Sequence, residues 1–452
     1  MRSHTYRLCS LLFAPAMFAP AMFALAMFAL LPLRPAAAGQ PPPRSVSAGA
    51  LIEAARAALS GGAPRDAAVL LEGVEPGAAD PDTLDFLHGQ IALARQDWRT
   101  AQRRFRAMLA RDPGLTRVRL DLALAHYRAG EFERAERHFR LALSAPGLPG
   151  DVRANALSML HLIGREKAEG WTFGVALALA PDSNINNATD AQKLGLFTLS
   201  QDARRTSGVG LVADMHAGYT AAVRPGLQFR VNGGLRTRSY RESRFNERIA
   251  GLNAGPRFLF GRSVLHPEVH VRQRWIGGDV YSRSAGLRVS GSRTLSPVWR
   301  LRWSLGRAWT DYEGYLGRGH TDTAGFGIAH ALGGVTVLRA NAGWRRETLD
   351  KDYWSWREFS LGLSAESELP RGFVAGAGLR VDRRDYGAPR PLFGPQARRD
   401  TTYALWTTLS NRNIDIGGFT PQLTLRHERR DSNITLHDYR RNVIELGVVR
   451  SF

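Results

Sequence analysis

Three groupings in this sequence carry side chains of the types that transfer protons or bind metals. His266 and His270 would share one face of a strand, and the acids pair as Asp350 with Asp352 and Glu366 with Glu368. Two carboxylates can act as general acid and base, yet both pairs read here as loop or lumen charges. The histidines have no obvious third ligand. The sequence holds no nucleophile elbow, no Gly-x-x-x-x-Gly-Lys-[Ser/Thr] phosphate loop and no cysteine cluster. No catalytic residue, metal site or cofactor is therefore expected, and the chain reads as something other than an enzyme. What remains is positive charge. There are 61 basic against 41 acidic residues, a net of +20, and only Lys167, Lys193 and Lys351 are lysines.

The elements that must position this charge are strands. Apolar and polar side chains alternate in 227–232, 269–272, 300–305, 359–363 and 423–426, so each segment has one greasy and one polar face. Segments of this kind repeat between turn signals from Trp171 to the end, giving about fourteen strands, an even number, with short turns (Pro225-Gly226, Gly333-Gly334, Pro370-Arg371-Gly372) alternating with longer loops. That is the pattern of an antiparallel transmembrane β-barrel. Charge on a lipid face costs roughly 2–4 kcal/mol at the midplane, so Arg230, Arg272, Arg302 and Arg426 should face the lumen. A basic, water-lined interior follows. It could steer acidic segments of a client or attract an anionic polymer, or be no more than a polar lumen of biased composition. Charge spread along alternating strands argues against nucleic acid as partner. Nine of ten tryptophans fall in this region, and Trp171, Trp275, Trp299, Trp309, Trp344 and Trp354 lie near strand ends, as interfacial girdle residues do.

Upstream, residues 1–38 resemble an export signal. Arg2 and Arg7 precede an apolar run with the repeat Ala-Met-Phe-Ala, and Ala36-Ala37-Ala38 supplies a cleavage site. Its removal lowers the net charge to +17 and takes away Cys9, the one cysteine, so neither disulfides nor thiolate metal sites are expected. Residues 39–48, with three consecutive prolines, read as a leader.

Between 49 and 168 the period changes. Ala67, Ala101 and Ala135 recur at a spacing of 34, as do Leu71, Phe105 and Phe139, then Val74, Met108 and Ala142, and the pairs Trp98/Phe132 and Gln96/Gly130. This resembles the tetratricopeptide repeat, a helix-turn-helix of 34 residues, and three units are about the minimum for a stable stack. A helix from Asp151 to about Glu166 would cap it. Such stacks present a concave surface. Arg103, Arg104, Arg106, Arg117, Arg119 and Arg134 would make part of it basic, with Arg103, Arg106, Arg119 and Arg134 as candidate client contacts. The fold class is thus α+β and multidomain: all-α repeats, then a barrel over 169–452.

Helical repeats joined to a barrel of about fourteen strands, with the stretch Ala180-Pro181-Asp182-Ser183-Asn184-Ile185-Asn186-Asn187-Ala188 after the first strand and a closing strand from Asn442 to Phe452, resemble the surface lipoprotein assembly modifier (Slam) family of type XI secretion. The resemblance covers nearly all of the mature chain. It implies an outer-membrane translocon of a Gram-negative bacterium, its repeats in the periplasm, that exports or displays a specific client, either a surface lipoprotein or a secreted protein. It further implies periplasmic chaperones and barrel-assembly machinery as partners, outer-membrane lipid around a monomer, and Phe452 as the insertion signal. Arg450 departs from the apolar residue often found near such an end. Asp182, Ser183, Asn184, Asn186 and Asn187, behind Pro181, have short side chains that bond nearby backbone and stabilise turns. They form either a capped loop in the barrel mouth or a plug that touches the client. Asp431-Ser432-Asn433-Ile434 partly echoes the motif. An exopolysaccharide export pore and a passive porin-like channel are the alternative readings.

Overall fold

The computed structural model describes residues 46–166, 169–194, 197–200, 203–391 and 395–451. The export signal, Cys9 and Phe452 lie outside the described residues.

Seven helices come first: α1 (Ala48–Ser60), α2 (Pro64–Glu72), α3 (Pro81–Ala94), α4 (Trp98–Arg111), α5 (Thr116–Arg128), α6 (Phe132–Ser144) and α7 (Gly150–Glu166). Local chemistry sets several starts. Ser47, Asp80 and Asp97 are N-caps whose side chains accept from backbone N–H groups three residues on. The turns inside the three pairs need a left-handed residue, supplied by Gly62, Gln96 and Gly130 at φ 79°, 63° and 77°; they too are 34 residues apart. Packing explains the repeat of small residues, because Ala67, Ala101 and Ala135 are each fully buried where paired helices cross. Beside them Leu71, Phe105 and Phe139 fill successive layers of the core. Gly89 meets Phe105 so closely that a Cβ there would sit 2.5 Å from a ring carbon.

The barrel strands are β1 (Gly170–Asp182), β4 (Gly208–Arg224), β5 (Leu227–Tyr240), β6 (Glu247–Phe260), β7 (Ser263–Ile276), β8 (Asp279–Thr294), β9 (Trp299–Tyr312), β10 (Arg318–Leu332), β11 (Thr336–Leu349), β12 (Trp356–Glu368), β13 (Phe373–Pro389), β14 (Ala397–Asn411), β15 (Thr420–Ser432) and β16 (Tyr439–Ser451). Each pairs antiparallel with its neighbours, and β1 closes on β16 to give fourteen strands without an edge. In the first loop β2 (Lys193–Leu194) and β3 (Phe197–Thr198) form a separate ribbon that alternation is too short to reveal. At the closure, pairing runs from Gly174↔Ser451 to Leu179↔Leu446, skips two positions and resumes at Asp182↔Val443. Pro181, in the gap, has no N–H to give to the ladder.

Loop lengths alternate with two exceptions: Gly277-Gly278 joins β7 to β8 tightly on the long-loop side, and residues 412–419 make a longer turn on the other. On the outward face Leu177, Leu211, Leu252, Val271, Leu287, Leu305, Phe326, Leu361, Leu405 and Leu446 are exposed in phase around the barrel, an apolar surface suited to lipid. No described helix is long and apolar enough to cross a membrane. Trp171, Trp299 and Trp309 project outward near strand ends. Trp275 and Trp344 share the outward phase of Val271 and, through the Trp344↔Phe359 pair, of Phe359. Trp354 differs from the sequence expectation. It lies in the β11–β12 loop, stacks under Arg390 and lines the lumen with Trp356, because the loop folds inward.

Candidate functional site

The helical domain is fastened to the short-turn rim of the barrel, where α4 packs on the β12–β13 turn and α5 and α6 supply polar ties. Arg119 of α5 donates through Nη1 to Glu368 Oε2 of β12 at 2.6 Å and through Nη2 to Pro113 O at 2.6 Å. Glu368 also accepts from Arg412 at 2.7 Å. From α6, Arg137 donates to Glu366 at 2.5 Å, Arg140 to Pro297 O at 3.0 Å, and Ser144 Oγ accepts from Gly334 N at 2.9 Å. Glu136 bonds Arg140 of its own helix and Arg300 of β9. The helix therefore reaches from the β8–β9 turn to the inner wall of β12, under the mouth of the lumen.

Two histidines stack behind this contact. The His126 and His138 rings are 5.4 Å apart and nearly parallel. His126 Nδ1 lies 2.5 Å from Glu131, and His138 Nδ1 lies 3.5 Å from Arg119. Burial lowers both histidines below their ordinary range; the positive charges of His126, Arg119, Arg412 and Arg137 deepen the shift at His138, whereas the hydrogen bond to Glu131 opposes it at His126. Burial would raise Glu131, but hydrogen bonding to His126 and the nearby His126 and Arg134 charges outweigh it and hold the carboxyl down at about 2. Burial lifts Asp121, which accepts from Gln90 at 2.7 Å, to about 6.

The basic residues expected on an open repeat surface thus divide. Arg103 is exposed and bonds Thr100, Arg134 is partly exposed beside Glu131, and Arg106 is half-buried against Gln102. Arg104 and Arg117 pair with Asp85 and Asp121. Arg119 departs from the expectation: it is buried, and its guanidinium is engaged with the barrel. Its sequence neighbourhood gave no warning, since its partner is 249 residues away. The same distance hid the role of Glu366 and Glu368, which are docking anchors.

Above the docked helices the lumen is polar. Arg230, Arg302 and Arg426 alternate with the exposed outward residues Phe229, Trp303 and Leu425, and Arg272 lines an inner cavity of about 570 Å³ near the long loops with Arg288, Arg345 and Arg384. Arg345 and Arg384 continue into a second cavity of about 340 Å³ that Arg426 also lines. Much of the charge is matched: Arg384 bonds Glu358 at 2.7 Å and Arg274 bonds Glu247 at 2.8 Å. Of the two histidines on β7, His266 sits 3.3 Å from Glu268. Among the described residues no group of three His, Cys, Asp or Glu side chains could hold a metal ion.

The polar loop after β1 is a knot of hydrogen bonds. Asp182 is buried, receives Arg441 Nη2 of β16 at 2.6 Å and Tyr240 Oη of β5 at 2.8 Å, and caps Asn184 N at 3.0 Å. Asn184, fully buried, donates to Ala188 O and to Arg440 O and accepts from Ala188 N. Ser183 and Asn442 exchange bonds of 2.8 and 2.9 Å. Asn186 ties down Arg204 and Thr206, and Asn187, at φ 50°, accepts from Arg441. The loop thus crosses the β1–β16 closure where the ladder is interrupted, and Thr189 extends the tie to Thr435 O in the last loop.

Comparison with known proteins gives a family model described as "Surface lipoprotein assembly modifier", matching residues 171–452, and one described as "Tetratricopeptide repeat", matching 92–149. Surface lipoprotein assembly modifier 1 of Neisseria meningitidis serogroup B is 25% identical over 80% of this chain and 75% of its own length. Proteins named surface lipoprotein assembly modifier from Pasteurella multocida and Moraxella catarrhalis are 22% and 20% identical, over 87% and 82% of this chain and 81% and 73% of their own.

Proposed function

The chain belongs to the surface lipoprotein assembly modifier family, and from that premise we propose that it moves or displays one specific client, a surface lipoprotein or a secreted protein, from the periplasm to the cell exterior. The observation that carries this reading is the attachment of the repeat domain to the short-turn rim, directly beneath an arginine-lined lumen. In outer-membrane barrels short turns face the periplasm, which supports a periplasmic location for residues 49–168 and an outer-membrane one, in a Gram-negative bacterium, for the barrel of 169–452. The repeat surface, including Arg103, Arg106 and Arg134, collects the client from periplasmic chaperones. The lumen, or the β1–β16 closure, lets it cross. Direction comes from folding of the client outside, a process that needs neither catalysis nor a cofactor. The barrel-assembly machinery inserts the chain as a monomer, with Phe452 as its recognition end.

Surface-shaved and secreted proteins compared by mass spectrometry, in cells with and without this gene, test the proposal. One or a few proteins should vanish from outside and accumulate in the periplasm. An unchanged protein profile would overturn it and favour polysaccharide or small-solute transport.

A further inference from the structure

Above the apolar band, on the outward face of β11 to β14, three arginines gather around one acid and a fourth stands beside them. Asp385 lies 3.9 Å from Arg357, 3.9 Å from Arg383 and 3.8 Å from Arg399. These separations are Coulombic contacts, too long for hydrogen bonds. Among the described residues none of the three guanidiniums makes a hydrogen bond, and they are 67%, 65% and 70% exposed while Asp385 is 20% exposed. Arg346, also exposed, is the direct cross-strand partner of Arg357. Like charges facing each other across strands destabilise a sheet unless something compensates them. On its other side Arg346 faces Asp322 of β10, which is itself bonded by Arg307 at 2.6 Å; five arginines against two aspartates leave three positive charges uncompensated.

Register fixes the height of this cluster. Arg346, Arg357, Asp385 and Arg399 are paired across β11 to β14 as one row, and the next row down holds Trp344, Phe359, Arg383 and Thr401. Below come Leu361, Val381 and Tyr403, then Leu363, Leu379 and Leu405. Two residues of strand span roughly 6.6 Å, so the guanidiniums stand immediately above side chains that face acyl chains, at the level of lipid headgroups. The neighbouring flank, β8 to β10, differs. There Arg283 pairs with Glu313 at 3.0 Å and Arg318 with Asp311 at 3.3 Å, one acid to each base.

We propose that the Arg346–Arg357–Arg383–Arg399 cluster binds the phosphates of a multiply phosphorylated lipid in the leaflet beside the long loops. Guanidinium forks suit phosphate oxygens, and a headgroup with at least two phosphates meets the three uncompensated charges better than a singly charged one. The assignment rests on the outer-membrane orientation proposed above only for which leaflet supplies the lipid; the site itself can be tested apart from any client.

The test is native mass spectrometry of the full chain in detergent, with bisphosphorylated lipid A and its monophosphorylated form as probes and inorganic phosphate as competitor. The Arg357→Gln/Arg399→Gln protein is compared with wild type and with Arg283→Gln/Arg318→Gln, each checked for a folded barrel by heat-modifiable migration on gels. Wild type should retain the bisphosphorylated lipid in preference to the monophosphorylated one. Loss of two charge-assisted contacts should weaken retention by about tenfold or more, with the Arg283→Gln/Arg318→Gln variant close to wild type. Equal loss in both variants, or none in either, overturns the site. Displacement of the lipid by inorganic phosphate alone overturns the lipid as its occupant.

Discussion

Arg119 and Glu368, 249 residues apart and both buried, meet at 2.6 Å where the helical domain joins the barrel rim. Breaking a buried pair from one side leaves a desolvated charge and costs about 3–5 kcal/mol. Glu368→Ala would strand both Arg119 and Arg412, so α5 and α6 should release from the rim. In hydrogen-exchange measurements these helices should lose protection while the strands keep theirs. A combined Arg119→Met/Glu368→Met change should cost less than the sum of the single ones, which a double-mutant cycle checks.

How much of this arrangement could be read beforehand depends on the range of the interaction. The 34-residue spacing of Ala67, Ala101 and Ala135 and the alternation around Leu361 and Leu305 are local patterns imposed by packing, and they led directly to the helices and most strands. Fourteen strands and the polar loop from Pro181 to Asn187 were legible for the same reason. Arg119 and Glu368 were not, because nothing near either one specifies the other. The Asp385 cluster was hidden for a second reason. Alternation identifies the lumen only where the other face is apolar, and at the rim both faces are polar, so Arg357 and Arg383 carry no mark of pointing outward.

Inside the helical domain, Gly89 tolerates no side chain. A Cβ would stand 2.5 Å from Cε1 of Phe105, which is itself fully buried and has no room to turn. Gly89→Ala should gain helix propensity yet lose about 1–3 kcal/mol through overpacking. Thermal unfolding of the full chain followed by far-ultraviolet circular dichroism should show the helical transition shifted down and the barrel transition in place.

The tie between the first loop and the last strand hangs on Asp182. Asp182→Ala removes the partner of Arg441 and the acceptor for Tyr240 Oη and Asn184 N together, a loss of about 3 kcal/mol or more. Because Pro181 already interrupts the ladder there, the loop of residues 183–206 should come free. Protease added to intact cells should cut it in the variant and spare it in wild type. Asp182→Asn, which retains an acceptor but no charge, should fall between them.

Acid should loosen the docked helices, and His138 should account for much of the effect. Burial, reinforced by the charges of His126, Arg119, Arg412 and Arg137, keeps His138 neutral well below the usual histidine range, and burial moves His126 the same way. The unfolded chain takes up protons at these histidines near pH 6.5 while the folded chain does not. Their contribution is therefore complete above about pH 6.5 and falls as the pH drops, by at most about 1.4 kcal/mol per unit for each ring. Asp121 opposes this, because burial raises its carboxyl to about 6 and the folded chain takes up its proton first; it offsets roughly one of the two rings as the pH falls through that value. The melting temperature of the helical transition should thus decline between about pH 7 and pH 5, and His138→Gln should flatten that decline. A variant with the same pH slope as wild type would show that His138 is not the group responsible.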